Sequence, residues 1–173
     1  PIVQALIDAA ERGKQVLALV EVKARFDEAA NIVWARKLEK AGVHVVYGLV
    51  GLKTHCKLLH VIREEDGMLR SYSHIGTGNY NPTTARLYTD VGILTARPDI
   101  GEEVAETFNM ITAHTRVPQM EHLWVAPFTL RDKLMQCIRT EIDNKQKGKP
   151  AAIRAKLNNV ADPGVILALY EAS

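Results

Sequence analysis

Apolar residues in the first part of the chain switch between a helical spacing and the short unbroken runs that are typical of buried strands. Helical spacing covers residues 2–10 and 26–41, and strand-like runs cover residues 15–22 and 43–47. Gly13 and Gly42 stand where the two helical patterns stop, as expected of residues that end helices. The order strand, helix, strand predicts a parallel pair with a right-handed crossover.

The middle of the chain carries the pattern of a β-hairpin. Two strand-like runs, residues 55–63 and 69–75, flank Asp66-Gly67. Asp-Gly is a strong signal for a tight hairpin turn, because both positions tolerate positive φ angles. Farther along, the pattern predicts strands at 87–95 and 151–157, helices at 100–113, 130–147 and 163–172, and an irregular connector with two prolines at 115–128.

The last part of the chain repeats the first part in outline, as helix, glycine, lysine, strand, polar loop and helix. The residue-by-residue match is weak, but self-similarity of this kind indicates a second copy of one structural unit. We therefore expect one domain over residues 1–118 and the opening elements of a similar domain over residues 119–173. Because the chain starts inside a helical pattern and without methionine, we expect it to be a segment of a longer protein.

Composition narrows the class of protein without giving its chemistry. The 173 residues are 47% hydrophobic and 24% charged, which is ordinary for a soluble folded protein. The net charge of +2 is too small to indicate a nucleic-acid partner, and no apolar run reaches the length of a membrane span. The two cysteines lie far apart and form no CxxC motif, which favours a reduced chain in the cytoplasm, with membrane association left open.

His55 and Lys57 stand out because they lie two positions apart on a predicted strand. Alternate side chains of a strand point to the same face, so this histidine and this lysine are expected to be neighbours. A buried lysine needs a partner or loses its charge, which makes a core role for the pair unfavourable. Two interpretations remain: a phosphate-handling site, and an exposed strand edge with two polar residues.

A segment rich in glycine and asparagine follows the predicted hairpin and strengthens the first interpretation. Glycines allow a close backbone approach to a ligand, while threonine and asparagine add neutral hydrogen-bonding groups. Such a segment suits phosphate oxygens, with Lys57 supplying positive charge. An ordinary polar turn is the alternative. The candidate phosphate-binding residues are Gly76, Thr77, Gly78, Asn79 and Asn81.

Several long stretches together resemble one enzyme family, polyphosphate kinase of the long, phosphohistidine type. They are THCK, HIGTGNYN, TARLYTDVGILTA, VKARFDEAANIVWARKLEKAGVHVVYG and, nearer the end, APFTLRDKL, IRAKLNN and LYEAS. The resemblance runs almost from end to end, and its motifs are long and ordered. It implies an α/β fold with a phospholipase-D-like mixed sheet flanked by helices. The chain would hold the first such domain without its opening strand, and the start of a second.

The resemblance also implies a reaction and its partners. The terminal phosphate of ATP is expected to pass through a phosphohistidine to a growing inorganic polyphosphate chain, reversibly, with Mg²⁺ as cofactor. ATP, ADP and polyphosphate are the expected partners, and a homo-oligomer is expected of the full-length protein. The residue types suit this chemistry, because an imidazole nitrogen can attack phosphorus in line with the departing ADP.

The same resemblance assigns roles by position. His55 matches the histidine that becomes phosphorylated, Tyr88 matches a tyrosine that contacts ATP, and Arg25 matches an arginine at the phosphate and magnesium site. A guanidinium has no lone pair for a metal, so Arg25 is expected to grip phosphate oxygens that in turn bind Mg²⁺. From the residues alone, Asp90 is a candidate to orient His55 or to pair with Lys57. An ordinary salt bridge at a strand end is the alternative for this aspartate.

Two other functions stay open. Phosphodiesterases of the phospholipase D class also use His-x-Lys, but they usually place an aspartate a few residues after the lysine, where this chain has Ile62. A non-catalytic module that binds phosphate or nucleotide is the second alternative, because a phospholipase-D-like site pairs two halves and the second histidine is not recognised here. Of the remaining histidines, His60 is expected in the framework, and His74 either in the site wall or in strand packing.

Overall fold

The computed structural model describes residues 1–22, 28–49, 51–113 and 119–173. The chain divides into two compact units, Pro1–Pro118 and Gln119–Ser173. Helices and strands occur together, so the predicted α/β class is confirmed. None of the helices in these described ranges is long and apolar enough to cross a bilayer.

The first unit opens with a strand–helix–strand arrangement. Its elements are helix α1 at Ile2–Glu11, strand β1 at Leu17–Leu19, helix α2 at Glu28–Lys40 and strand β2 at His44–Val46. β1 and β2 pair in parallel, as predicted, although both are shorter than the apolar runs suggest. α2 crosses between them and buries Ala35 and Leu38. Gly42 then takes a φ of 87°, which glycine adopts without steric cost, and the chain turns into β2.

A β-hairpin follows and brings the candidate residues to one end of a sheet. Strand β3, Lys57–Glu65, pairs antiparallel with strand β4, Met68–Gly76, over its whole length. Asp66 and Gly67 form the turn with φ angles of 52° and 73°, the positive values that this two-residue turn needs. The predicted hairpin is therefore confirmed. Opposite the turn, the start of β3 lies beside the end of β4, where the candidate site is found.

Strand β5, Gly92–Thr95, extends this sheet along the other side of β4. The strand predicted at 87–95 is wrong in its first part, which belongs to a loop containing a 3-10 turn at Thr84–Arg86. The physical reason lies in the backbone: the N–H groups of Leu87 and Tyr88 bond back to the Thr84 carbonyl instead of to a neighbouring strand.

Helix α3, Pro98–Ala113, packs on the antiparallel sheet. Gly101 lets the helix approach β4 closely, since a Cβ at this position would overlap with the Ser71 hydroxyl. Val104 of α3 is fully buried. Under the helix, the His60 ring nitrogen Nδ1 lies 2.9 Å from the Ser73 hydroxyl across β3 and β4, a framework contact.

The strands of the first unit form two small sheets in the described ranges. One is the parallel pair β1–β2, and the other is antiparallel with the order β3-β4-β5. Parallel and antiparallel pairing are thus both present, but no ladder joins the two sheets among the residues described. The single mixed sheet therefore stays a prediction.

The second unit is built on helices α4, Leu130–Gln146, and α5, Pro163–Ala172. Between them lies a small apolar cluster of Ile138, Val165 and Ala168. The strand predicted at 151–157 is wrong, because this segment is irregular. A strand needs a hydrogen-bonded neighbour. Here the Ala152 N–H instead donates to the carboxylate of Glu141 on α4, at 2.9 Å.

Candidate active site

A hydrogen bond from outside β3 positions the segment that leads into the site. The backbone N–H of Thr54 donates to the Glu21 carboxylate at 2.8 Å. Glu21 follows β1, and its own carbonyl accepts a hydrogen bond from the Asn31 side chain of α2 at 3.0 Å. The approach to His55 is therefore tied to the strand–helix–strand part of the unit. Sequence analysis missed Glu21, although its place at the carboxyl end of a buried strand was a usable signal.

His55 was predicted to lie on a strand, but it lies just before β3. The reason is that β4 ends at Gly76, which pairs with Lys57, so no partner remains for residue 55. The expected contact forms all the same. Lys57 Nζ lies 3.1 Å from His55 Nδ1, and it donates to the His55 carbonyl oxygen at 2.6 Å. Lys57 is only 8% exposed whereas His55 is exposed, so a buried ammonium lies behind an accessible imidazole.

Charge and burial lower the pKa values of both groups. The Lys57 ammonium lowers the pKa of His55, and burial and the charge of Lys53 act in the same direction. Burial lowers the pKa of Lys57, while the Cys56 thiolate, where it forms, and the negative charge of Asp90 oppose this shift. The shift favours the neutral form of His55, in which an imidazole nitrogen can act as a nucleophile. Sequence analysis missed Lys53, although the alternation of Lys53, His55 and Lys57 pointed to it.

The glycines at the ends of β4 and β5 make room for a histidine. Gly76 lies opposite Gly92, and the His74 ring covers both. A Cβ added at Gly92 would lie 2.6 Å from His74 Nε2, and one added at Gly76 would lie 2.9 Å from Cε1. The other ring nitrogen, Nδ1, lies 2.7 Å from the Tyr80 hydroxyl. Of the two positions considered for His74, the structure shows strand packing, while phosphate binding by Gly76 stays a prediction.

Thr77 and Asp90 meet at the neck of the loop between β4 and β5. The Thr77 hydroxyl donates to the Asp90 carboxylate at 3.0 Å. Gly78 passes so close to this carboxylate that a Cβ there would overlap with it. In the described part of the chain, Asp90 makes its side-chain hydrogen bond with Thr77 and not with His55 or Lys57. A role for Asp90 in orienting the histidine therefore stays a prediction.

The rest of the loop separates into residues that hold it and residues that face solvent. The Asn81 side-chain oxygen accepts hydrogen bonds from the N–H groups of Thr83 and Thr84, at 2.9 and 3.3 Å, at the start of the 3-10 turn. For a phosphate, Asn81 would thus offer its amide N–H groups. Asn79 is exposed, and Tyr88 is 61% exposed on a backbone whose N–H bonds to the Thr84 carbonyl.

The described residues provide no ready-made magnesium cage. Among them, no group of three or more His, Cys, Asp or Glu side chains lies close enough to hold a metal ion. Arg25, assigned to the phosphate and magnesium site, lies outside the described residues. Mg²⁺ often keeps several waters and binds through one or two carboxylates and the phosphates of a substrate. The side chains of the described residues fit Mg²⁺ binding that is shared with a substrate, and they do not fit a Mg²⁺ site made of protein ligands alone.

Comparison with known proteins decides between the families that use a histidine and a lysine in this way. The family model described as polyphosphate kinase C-terminal domain 1 matches residues 1–117, and the one described as C-terminal domain 2 matches residues 123–173. The chain belongs to the polyphosphate kinase family. The resemblance stated from the sequence is therefore confirmed.

Curated polyphosphate kinases match over the whole chain. The protein from Mycolicibacterium gilvum is 58% identical over 173 residues, and those from Streptomyces coelicolor and Thermosynechococcus vestitus are each 57% identical over the same length. All three matches cover 100% of this chain but only 23% or 24% of the relative. The chain thus spans about a quarter of the length of the polyphosphate kinases it matches.

A solved structure has the same fold. The crystal structure of polyphosphate kinase from Porphyromonas gingivalis superposes with a TM-score of 0.85 and 34% sequence identity. The match covers 99% of this chain and 29% of that protein. At this identity, the likeness extends beyond a shared topology and supports the family assignment.

Proposed function

We propose that this chain carries the phosphohistidine part of a polyphosphate kinase active site, which transfers the terminal phosphate of ATP through His55 to inorganic polyphosphate. Family membership supplies the reaction. The single observation that carries the assignment of the nucleophile is the exposed His55 ring with the buried Lys57 ammonium 3.1 Å from its Nδ1. A phospholipase-D-like fold is part of this proposal and is supported by the parallel strand–helix–strand unit and the antiparallel hairpin.

The transfer proceeds in two balanced steps. A ring nitrogen of His55 attacks the terminal phosphorus of ATP, a nitrogen–phosphorus bond forms, and the bond to the ADP oxygen breaks with its electron pair leaving on ADP. A terminal oxygen of polyphosphate then attacks the same phosphorus, and the electron pair of the nitrogen–phosphorus bond returns to the imidazole. Charge spreads over the equatorial oxygens in both steps, so Lys57 and Arg25 act by stabilising it.

The contact between Lys57 and His55 sets a condition on the nucleophile. While the ammonium donates to Nδ1, the neutral ring carries its proton on Nε2, and neither nitrogen has a free lone pair. Attack therefore requires Lys57 to leave Nδ1. An incoming phosphate provides the reason, because its oxygens are stronger acceptors for the same ammonium. We expect Lys57 to turn from His55 to the phosphate as ATP binds.

Mg²⁺ is included in the proposal only through the substrate. When bound, it supplies charge neutralisation at phosphate oxygens. The described residues fit binding that is shared with ATP, and Arg25 would contact those phosphates from the protein side. ATP, ADP and polyphosphate as partners follow from the same proposal, while a homo-oligomer and a cytoplasmic location stay predictions from the sequence.

Labelling with ATP tests the function. A full-length polyphosphate kinase carrying this segment, incubated with ATP labelled at its terminal phosphate, should acquire an acid-labile label that polyphosphate or ADP removes. His55→Gln should abolish the label. His44→Gln is the matched control, because His44 is an exposed histidine on β2. Undiminished label in the His55→Gln protein would overturn the assignment.

The same experiment separates the competing functions. The histidine–lysine contact would equally suit attack on a phosphodiester, as in enzymes of the phospholipase D class. Cleavage of a phosphodiester without any label from ATP would favour that class. Binding of ATP without label or turnover in the full-length protein would favour a non-catalytic module. Label that passes from the protein to polyphosphate is expected only of the kinase.

A further inference from the structure

The loop between β4 and β5 is closed, next to the last strand pair, by a hydrogen bond to a side chain where a strand would use a backbone carbonyl. Gly76 and Gly92 are the last residues paired by the ladder. One step farther, the Thr77 N–H donates to the Val91 carbonyl at 3.0 Å. The return bond, from the Val91 N–H, goes to the Thr77 hydroxyl at 3.0 Å and not to a backbone carbonyl. The threonine side chain thus extends the sheet by one residue on each strand.

The Thr77 hydroxyl makes two hydrogen bonds of opposite direction. It accepts from the Val91 N–H and donates to the Asp90 carboxylate, each at 3.0 Å. A hydroxyl combines a donor with acceptor lone pairs, whereas a valine of nearly the same shape has neither. Gly78 completes the arrangement, because a Cβ there would displace the Asp90 carboxylate. The closure of the loop therefore requires three particular features: the hydroxyl of Thr77, the accepting oxygen of Asp90 and the lack of a Cβ at Gly78.

We propose that Thr77 and Asp90 form a clasp that positions Tyr88 for the nucleotide base. Tyr88 lies two residues before Asp90, and its ring is 61% exposed on a backbone bonded to Thr84. An exposed aromatic ring on a fixed backbone can stack on a purine base at little cost in conformational entropy. The proposal rests on the proposed function, in which Tyr88 contacts ATP, and it gives Thr77 a positioning role in addition to any contact with phosphate.

The part of the loop that follows β4, around Tyr80 and Asn81, is held by contacts that do not depend on the clasp. Tyr80 places its hydroxyl 2.7 Å from His74 Nδ1, with the two rings 5.6 Å apart. The Asn81 side-chain oxygen accepts from the N–H groups of Thr83 and Thr84 at the start of the 3-10 turn that follows. With this part of the loop and the Tyr88 N–H held in this way, loss of the clasp is expected to loosen the chain around Asp90 and so to displace the Tyr88 ring, without detaching residues 87–88 from the turn. The expected defect is in nucleotide binding and not in folding.

Threonine variants of the full-length kinase carrying this segment test the clasp. Thr77→Val removes both hydrogen bonds at nearly constant shape and should raise the KM for ATP roughly tenfold, with a much smaller change in kcat. Thr77→Ser keeps the hydroxyl and should restore the KM. Thr140→Val is the matched control, because it removes a hydroxyl that bonds to a backbone carbonyl within α4. A parent-like KM in Thr77→Val, or an equal defect in Thr77→Ser, would overturn the clasp.

Aspartate variants separate position from charge. Asp90→Asn keeps an oxygen that can accept from the Thr77 hydroxyl, so it should change the KM for ATP far less than Asp90→Ala. Because Thr77 and Asp90 act as one unit, the double variant Thr77→Val with Asp90→Ala should raise the KM for ATP no more than the stronger of the two single changes does. Additive defects would count against a clasp. If His55 is labelled in the parent but these variants do not change the KM for ATP, only the clasp is contradicted. If the parent acquires no label, the proposed function is contradicted.

Discussion

Single residues at the site combine a buried cation, Lys57, with an exposed imidazole, His55, and the charge of the first lowers the pKa of the second. Burial makes the ammonium of Lys57 less stable, and its donation to the His55 carbonyl partly offsets that loss. The charge in turn lowers the pKa of His55, so the imidazole stays neutral to lower pH. A phosphate bound as proposed would stabilise the Lys57 ammonium, because it would bring negative charge to it.

Lys57→Met should move the acid limb of the phosphorylation pH profile to higher pH. Methionine fills the buried space without charge, so the pKa of His55 should rise towards the ordinary imidazole value of about 6.5. Protonation would then remove the nucleophile at pH values where the parent His55 is still neutral. An NMR titration of the His55 ring measures the shift directly. Lys57→Arg, which keeps the charge, is the control, and a His55 pKa that does not rise in Lys57→Met would contradict the electrostatic cause.

The residue pattern predicted the contact of His55 with Lys57 but not the reason for it. Alternation along a strand implied two neighbouring side chains, whereas the structure shows a lysine at the first position of the strand that folds back on a residue two positions earlier. The length of β4 decides this, and no local pattern gives the residue at which a ladder ends. For the same reason, the contact of Asp90 with Thr77 depends on strand register and could not be read from spacing.

At the scale of elements, the antiparallel sheet owes its shape at the site to two facing glycines. Gly76 and Gly92 leave a gap in the side-chain layer, and the His74 ring fills it. Close packing of this kind fixes the ring, and through Tyr80 it fixes one limb of the neighbouring loop. The glycines therefore link strand pairing to loop position.

Gly92→Ala should destabilise the chain through this contact. The added Cβ would lie 2.6 Å from His74 Nε2, and overpacking of this kind typically costs about 1–3 kcal/mol. The free energy of unfolding in urea measures the effect. In a His74→Ala background the methyl group has room, so Gly92→Ala should cost much less there. An equal cost in both backgrounds would show that the destabilisation has another source.

Elements with strong local signals were predictable, and those that depend on distant partners were not. Asp66-Gly67 fixes its hairpin through the φ angles of two residues, and the helix predicted at 163–172 matches α5. The segment at 151–157 has strand-like composition, yet its backbone bonds to the Glu141 side chain. The first residues of the run at 87–95 likewise form no strand and lie in the loop that follows the 3-10 turn. Composition favours a strand in both places, but a strand forms only where the edge of another strand is available to pair with it.

At the scale of the whole molecule, the contacts divide the chain into Pro1–Pro118 and Gln119–Ser173. The two family matches end at residue 117 and resume at residue 123. Each unit has its own buried residues, among them Val104 in the first and Ile138 in the second. All of the candidate site residues that the structure describes belong to the first unit. Changes in the second unit should therefore leave the local stability of the hairpin unchanged.

Asp162→Ala tests this separation. The Asp162 carboxylate caps α5 by accepting from the Val165 N–H at 2.9 Å, and it pairs with Arg131 Nε at 2.8 Å. Loss of the cap should speed amide hydrogen exchange in the first turns of α5 by roughly fivefold. Exchange in β3 and β4 should stay as in the parent, because these strands belong to the other compact unit, Pro1–Pro118. Asp132→Ala is the matched control, since the Asp132 side chain is 85% exposed and its carboxylate lies 3.9 Å from Arg131 Nη1, a contact of little energetic weight. Faster exchange in the hairpin as well as in α5 would mean that the two units unfold as one.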